Sequence, residues 1–313
     1  MSKKPLHITN GDHLTKKLNQ LEIQGAKLTW QELLCEGPTT EKVGSELFLE
    51  TRKKFFDEFY NIDLDIEFIK SELNKLKEWE NYSEIILWFE YDLFCHINMI
   101  AVISLIQQYK IELPIYLVCS GRIEGSKKLT GLAELSNEQL KHHYENKVLL
   151  NEKDIDIATT VWGIYCGVDH NMLKPFIIKS SSFKYLSNCL KAHLKRFPDS
   201  VDGLNTLERN ILKIINEYTI TSENQLLGYA LNYQGFYGYS DLQLSRMIER
   251  LSIFYAVAED QIELNRKGHE ALLAQHSFAQ EIDNHIIFGG VKKMDFKFNK
   301  AENKLIKSVF NAN

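Results

Sequence analysis

Between residues 6 and 120, short runs of apolar and β-branched residues alternate with longer segments of helical periodicity. This alternation constrains the fold most, because strands joined by helices pair in parallel in a sheet that the helices cover. The predicted strands are Leu6–Thr9, Lys27–Trp30, Glu84–Phe89 and Pro114–Cys119. Helices are predicted at 12–21, 45–60, 63–79 and 92–109. The fold class is therefore α/β, with a doubly wound, mainly parallel sheet.

The rest of the chain divides into a helical extension and a second domain. Residues 121–198 show helical spacing and no convincing strand, and Phe197-Pro198-Asp199-Ser200 breaks the pattern. A chain of 313 residues has room for about two domains. We predict an α/β domain with helical extension at 1–199 and a second domain with a short tail at 200–313.

The second domain has a different order of elements. Three amphipathic helices, an extended pair and a closing helix are predicted, and this is the order of a winged helix. The helices are Leu204–Tyr218, Ser222–Leu231 and Ser240–Leu251, the pair is Phe254–Ala258 and Gln261–Leu264, and the closing helix begins near Asn265. The tail after Ala274 is short and mixed, and no element is predicted there.

Composition and charge exclude several classes of protein. With 44% hydrophobic and 25% charged residues, the chain is typical of a folded soluble protein. Its longest apolar run, near Ile97–Ile106, is interrupted and far shorter than the roughly 20 residues that span a bilayer. No secretion signal is recognised, and five cysteines without a Cys-x-x-Cys pair indicate neither a disulfide framework nor structural zinc. We expect a cytoplasmic protein with reduced thiols and no membrane partner.

The stretch Leu6–Asp12 is typical of a strand, a tight turn and the start of a helix. Exposed backbone N–H groups and the positive end of a helix dipole favour an anion there, so Thr9, Asn10 and Gly11 are candidates for phosphate binding. Asp12 either caps the helix, holds a cation or acts in catalysis. The sequence leaves these roles open.

A second acidic junction follows the third predicted strand. Glu90 and Asp92 are two residues apart and face the same side if the strand continues, an arrangement that can bind Mg²⁺ together with waters and a substrate phosphate. Because the carboxyl ends of parallel strands converge, one crevice is predicted to collect several polar residues. They are Asn10, Asp12, Glu36, Glu90, Asp92 and Ser120. The alternative is that Asp12 and Asp92 only cap the helices that follow them.

Three further features have both a functional and a structural interpretation. Glu36 faces the crevice or simply belongs to a Gly-Pro turn. Arg52 binds a phosphate or forms an internal salt bridge. Cys95 and His96 resemble a thiolate–imidazole pair, but adjacent residues on a helix point about 100° apart, which argues against joint catalysis.

Several motifs together resemble a known family. They are His7-Ile8-Thr9-Asn10-Gly11-Asp12, Trp30 to Pro38 ending in Cys35-Glu36-Gly37-Pro38, Arg52, Trp88-Phe89-Glu90-Tyr91-Asp92-Leu93-Phe94 and Gly131-Leu132-Ala133-Glu134-Leu135-Ser136. In this order, over roughly the first 170 residues, they resemble the bacterial family called domain of unknown function 1835. Tyr91 stands where that family usually has His, and Cys95-His96 where it has an acidic or amide residue. The resemblance implies the fold and the motifs but no reaction.

Two functions from different classes follow. The first is a phosphate- or nucleotide-recognising α/β enzyme, with Asp12, Glu90 and Asp92 in catalysis and Mg²⁺ held by Glu90 and Asp92. The second is a non-enzymatic regulator that senses a small ligand and contacts nucleic acid or protein through the winged-helix-like domain. Residues 201–275 contain six Lys and Arg against ten Asp and Glu, which disfavours nucleic acid because neutralised phosphates supply most non-specific affinity. The sequence identifies neither the substrate nor the oligomeric state.

Overall fold

The order of helices and strands in the computed structural model supports a mixed α/β protein. The structure describes residues 3–308 except 124, 126, 127, 259, 283 and 284. The strands are β1 (Lys4–Asn10), β2 (Ala26–Trp30), β3 (Gly37–Pro38), β4 (Tyr82–Phe89), β5 (Ile115–Cys119), β6 (Val148–Leu149), β7 (Tyr255–Ala258), β8 (Gln261–Leu264), β9 (Ile287–Gly289), β10 (Val291–Lys292), β11 (Phe296–Asn299) and β12 (Lys304–Lys307). The helices are α1 (Asp12–Gln20), α2 (Glu46–Tyr60), α3 (Ile66–Lys77), α4 (Leu93–Gln108), α5 (Asn137–Glu145), α6 (Glu152–Cys166), α7 (Lys174–Ile177), α8 (Leu186–Leu194), α9 (Thr206–Glu217), α10 (Glu223–Tyr233), α11 (Asp241–Arg250) and α12 (Arg266–Leu272).

The main sheet has the strand order β2-β1-β4-β5-β6. The first four strands are parallel and β6 is antiparallel to β5, so the prediction of a mainly parallel sheet is confirmed. The four predicted strands are its first four members. β6 was not predicted, because two residues carry no periodic signal.

The core of this sheet forms around β4, where Ile85 to Phe89 are fully buried. Leu14 and Leu18 of α1 pack against Trp88 in one apolar cluster. Almost every residue of α4 from Leu93 to Ile106 is buried, so α4 is apolar all round rather than amphipathic. None of the helices that the structure describes is long and apolar enough to cross a bilayer.

The chain forms two compact units. The first comprises residues 1–189 and 288–290, and the second comprises 190–287 and 291–313. The division therefore comes ten residues before the predicted boundary at 199/200. Phe288 and Gly289 return from the C-terminal tail to pair in parallel with Gly37 and Pro38 of β3. The tail after Ala274, which in sequence is short and mixed, contributes β9 and, in the second unit, the antiparallel pair β11–β12.

Gly289 is essential to this return. Its φ is +62°, and a Cβ built there would lie 2.0 Å from the Tyr165 carbonyl oxygen. We expect Gly289→Ala to lower the free energy of unfolding by about 2 kcal/mol, because it adds backbone strain and a clash. Gly228→Ala in α10 is the control, since nothing lies within 4 Å of its added methyl group, and it should be neutral or stabilising. Urea denaturation of both variants checks this, and equal stabilities would contradict it.

The second unit has the predicted order of helices and strands. α9, α10 and α11 are followed by the antiparallel hairpin β7–β8 and then by α12. Ile220, between α9 and α10, forms an antiparallel bridge to Ile262 of β8. Side chains of Asn205, Ser222 and Ser240 cap the three helices, which explains where each begins.

Candidate functional site

The carboxyl ends of the parallel strands place three polar residues in one region. In the first unit, β1 and β4 are neighbours, with β2 beyond β1 and β5 beyond β4. The strand order thus reverses between β1 and β4, and ligands of open α/β sheets bind at such a switch point. Asn10 ends β1, and Glu90 and Ser120 directly follow β4 and β5.

Glu90, Asp92 and Cys95 form a cluster at this point. One carboxylate oxygen of each acid and the Cys95 sulfur all lie within 4.8 Å of one another. Asp92 is the N-cap of α4, and its Oδ1 accepts a hydrogen bond of 2.8 Å from the Cys95 N–H. The predicted capping role of Asp92 is therefore confirmed. A carboxylate has two oxygens, so this cap engages only one of them, and the Asp92 side chain also has a hydrogen bond with the Cys95 side chain.

A chain of amides fixes the Cys95 side of the cluster. Asn10 donates from Nδ2 to Cys95 Sγ at 3.0 Å, and its Oδ1 accepts from Asn98 Nδ2 at 2.9 Å. Asn98 also donates to the Glu32 carbonyl at 2.7 Å and accepts from the Leu34 N–H at 3.2 Å. The end of β1, helix α4 and the loop after β2 are thereby joined, and the Asn10 amide is held in one orientation.

Glu90 lies beneath the turn at Leu132–Glu134. Its Oε1 accepts from the Ala133 N–H at 3.3 Å, and a Cβ on Gly131 would come within 2.6 Å of its Oε2. A larger residue at 131 would therefore displace this carboxylate. Burial, followed by the negative charge of Asp92, raises the pKa of Glu90 to about 7.

Glu90 is half-buried and Asp92 is buried, and burial raises the pKa of Asp92 to about 6. Among the residues that the structure describes, no Lys, Arg or His forms an ion pair with either carboxylate. Two neighbouring carboxylates that are shielded from water and have no counter-charge are costly, so this pair favours either a proton or a cation between its members.

Two buried polar atoms nearby have no hydrogen-bond partner in the described part of the chain. They are Ser120 Oγ and His96 Nε2, and both residues are 1% exposed. Nδ1 of His96 lies 2.9 Å from the Asp92 carbonyl oxygen, and burial lowers its pKa to about 4, so the ring is neutral. His96 thus bonds to backbone while Cys95 enters the cluster, in agreement with the expectation that the two do not act as a pair.

The structure does not bring Asp12 into this cluster. Gly11 is the N-cap of α1, and Asp12 is an exposed first-turn residue that pairs with Lys16 at 2.5 Å. The hydrogen bond from Lys16 is the main cause that lowers the pKa of Asp12. The Thr9 hydroxyl is buried and lies 2.5 Å from the hydroxyl of Thr15.

Gly11 forms the turn between β1 and α1 with a positive φ angle. Its φ is +91°, its N–H donates to the Trp30 carbonyl at 2.9 Å, and no described residue lies within 4 Å of where a Cβ would be. Of the predicted phosphate-binding turn, Gly11 therefore lies next to open space, whereas the Asn10 amide is already bonded to Cys95 and Asn98.

Arg52 is fully buried and bonds within the protein. Its Nε donates to Glu32 at 3.0 Å, Nη1 donates to the carbonyls of Glu36 and Pro38, and Nη2 donates to that of Leu33. Of the two roles that the sequence left open, the structure shows the internal salt bridge. The buried Glu36 carboxylate likewise accepts from the Tyr60 hydroxyl. Both side chains stabilise the loop between β2 and α2.

The sequence analysis missed Glu32, Asn98 and the position of Cys95 within the cluster. Asn98 carried a signal, because a carboxamide in an otherwise apolar helix needs a hydrogen-bond partner. It is also three residues from Cys95 and so shares its face of α4. Nothing in the sequence around Glu32 distinguished it from a surface acid.

The chain matches no protein-family model and no curated protein. Among solved structures it is similar to the DNA-binding, cleavage and re-ligation domain of topoisomerase II from Plasmodium falciparum, with 13% sequence identity and a TM-score of 0.48. The match covers 79% of this chain and 42% of that one, so this chain spans less than half the length of its neighbour. A similarity of this size supports no conclusion about function, and the resemblance to domain of unknown function 1835 stays a prediction.

Proposed function

We propose that the protein is a phosphate- or nucleotide-recognising α/β enzyme whose cluster at the β1–β4 switch point holds a divalent cation. The observation that carries this proposal is the pair of adjacent carboxylates, half-buried Glu90 and buried Asp92, without a counter-charge among the described residues. A cation would offset the cost of burying them, and carboxylates are ligands that divalent cations prefer.

The surroundings of the pair support a phosphate-bearing ligand. A cation held by one or two carboxylates completes its shell with waters and phosphate oxygens. The open turn at Gly11 and the N-terminus of α1 lie at the end of β1, next to β4, and a helix N-terminus favours an anion. The proposed site consists of Asn10, Gly11, Glu90 and Asp92. The other residues predicted from the sequence are not part of it, namely Thr9, Asp12, Glu36 and Arg52.

The second candidate function remains a ligand-sensing regulator in the cytoplasm. The order of α9, α10, α11 and the β7–β8 hairpin, with the Ile220–Ile262 bridge, supports a winged-helix-like domain. Its excess of acidic residues favours a protein partner over nucleic acid. Metal-dependent recognition of a phosphate-bearing ligand by the first unit is compatible with both functions. An enzyme would convert that ligand to a product, whereas a regulator would bind it unchanged.

A thermal-shift titration tests the cation site. The wild type, freed of metal with a chelator, is titrated with Mg²⁺, Mn²⁺ or Zn²⁺, each with and without inorganic phosphate or ATP. At a hundredfold excess over Kd, binding stabilises the native state by about 2.7 kcal/mol and raises Tm. Glu90→Gln and Asp92→Asn should lose this shift, and asparagine preserves the N-cap of α4.

Asp12→Asn is the matched control, because it removes a neighbouring carboxylate that lies outside the cluster, and it should keep the full shift. Without metal, Glu90→Gln should be at least as stable as the wild type above pH 7, since it removes a buried charge. Equal metal shifts in the wild type and Glu90→Gln, or no shift in either, would contradict the proposal.

A further inference from the structure

We infer that the cation selected by this cluster is a thiophilic transition metal of the zinc type rather than Mg²⁺, with Cys95 as its third protein ligand. The inference rests on the proposed cation site and adds the class of metal. Its basis is that the Cys95 sulfur lies within 4.8 Å of a carboxylate oxygen of both Glu90 and Asp92. Mg²⁺ demands oxygen ligands, whereas thiolates select zinc and other softer metals.

The distances suit one ion after small side-chain rotations. Zinc binds sulfur at about 2.3 Å and carboxylate oxygen at about 2.0–2.2 Å, which places tetrahedral ligands about 3.5 Å apart. The cluster atoms lie within 4.8 Å of one another, and Asn10 holds the sulfur from one side. The thiol loses its proton when the metal binds, and the thiolate then supplies one of the charges that balance the ion.

Ser120 gives an independent reason to expect a ligand here. Phe89 pairs in register with Cys119, so Glu90 and Ser120 directly follow paired positions at the ends of neighbouring strands. Thr130 donates from its N–H to the Gly121 carbonyl, which brings the turn covering Glu90 next to the residue after Ser120. Among the residues that the structure describes, the Ser120 hydroxyl nevertheless has no hydrogen-bond partner, although most buried hydroxyls are hydrogen-bonded.

A fourth metal ligand would supply that partner. Three protein ligands leave one tetrahedral position open, as in catalytic rather than structural zinc sites, and water or a substrate oxygen occupies such a position. A water there would accept a hydrogen bond from Ser120 Oγ. The same open position is where the phosphate-bearing ligand of the proposed function would reach the metal.

Cobalt substitution tests this inference on the full chain. Co²⁺ bound through a thiolate produces an intense near-ultraviolet charge-transfer band, which oxygen ligands alone do not. We expect this band in the wild type at one Co²⁺ per chain, its loss on adding equimolar Zn²⁺ and its persistence in a hundredfold excess of Mg²⁺. Cys95→Ala should lose the band, and Cys166→Ser, a half-buried thiol outside the cluster, should keep it.

Each outcome separates the two proposals. If Co²⁺ binds through Glu90 without the band, or if the band survives in Cys95→Ala, ligation by Cys95 is wrong. The cation site formed by the two carboxylates then still stands. Displacement of Co²⁺ by a modest excess of Mg²⁺ would also overturn the inference. If no metal binds the wild type, both proposals fail. Should Cys95→Ala not fold, the wild-type band and the Mg²⁺ competition decide alone.

Discussion

Replacing Arg52 with methionine will lower the free energy of unfolding by about 3–5 kcal/mol, the range found when one partner of a buried ion pair is removed. Arg52 is fully buried, and its guanidinium bonds to the Glu32 carboxylate and to three carbonyl oxygens. It also lies 4.9 Å from the centre of the Phe55 ring. Methionine fills part of the volume but leaves Glu32 buried without its cation.

Urea denaturation gives the size of this effect, and two further variants assign its cause. Lys54→Met removes an exposed cation from the same helix and should change stability by less than about 0.5 kcal/mol. Adding Glu32→Gln to Arg52→Met should recover part of the loss, because the uncompensated charge disappears. A loss below about 1 kcal/mol for Arg52→Met would show that the network does not hold the loop.

Acidification from pH 6.5 to pH 4 will destabilise the protein through His7 by about 3 kcal/mol. His7 is fully buried in β1, and its Nδ1 accepts a hydrogen bond of 3.0 Å from the Trp88 indole. Its Nε2 therefore carries the proton and donates to the Gln24 carbonyl at 2.9 Å. Burial, with a smaller effect from Lys27 and Lys147, lowers its pKa from 6.5 to about 4.

The sign of this effect follows from proton binding. Between pH 6.5 and pH 4 the unfolded chain binds a proton at His7 and the folded chain does not. The free energy of unfolding therefore decreases as the pH is lowered. The raised pKa values of Glu90 and Asp92 act in the opposite direction in the metal-free protein. The measurement is therefore the difference between the wild type and His7→Asn across this range.

The free energy of unfolding of the wild type should approach that of His7→Asn as the pH is lowered. Asparagine can accept the hydrogen bond from the Trp88 indole but does not titrate, so the variant lacks this pH effect. His142→Asn, at an exposed histidine, is the control for the substitution itself. Stability curves of the wild type and His7→Asn that stay parallel from pH 6.5 to pH 4 would contradict a neutral, buried His7.

The strands of the main sheet were predictable where their burial left a continuous apolar signal. β4 is the clearest case, because Ile85 to Phe89 are all buried and the run ends at a polar residue. β3 and β9 gave no such signal. They are two and three residues long, and their pairing joins residues 37–38 to 288–289, so tertiary contacts rather than local pattern determine them.

The positions of Glu90 and Asp92 in the candidate site were predictable from the sheet topology. The positions of Cys95 and Asn98 were not. Parallel strands end at one edge, so residues that follow β4 fall at the switch point. Cys95 and Asn98 lie on α4, which is apolar on all sides, and hydrophobic pattern alone cannot show which of its faces meets the strand ends. The sequence left Arg52 between phosphate binding and an internal salt bridge, and the fold shows Glu32 beside it.

The cation site itself is tested most directly by anomalous diffraction from crystals of the full chain grown with Mn²⁺. The account predicts a strong anomalous peak within about 2.4 Å of carboxylate oxygens of both Glu90 and Asp92. A peak near His142 and His143, with none between these carboxylates, would contradict it.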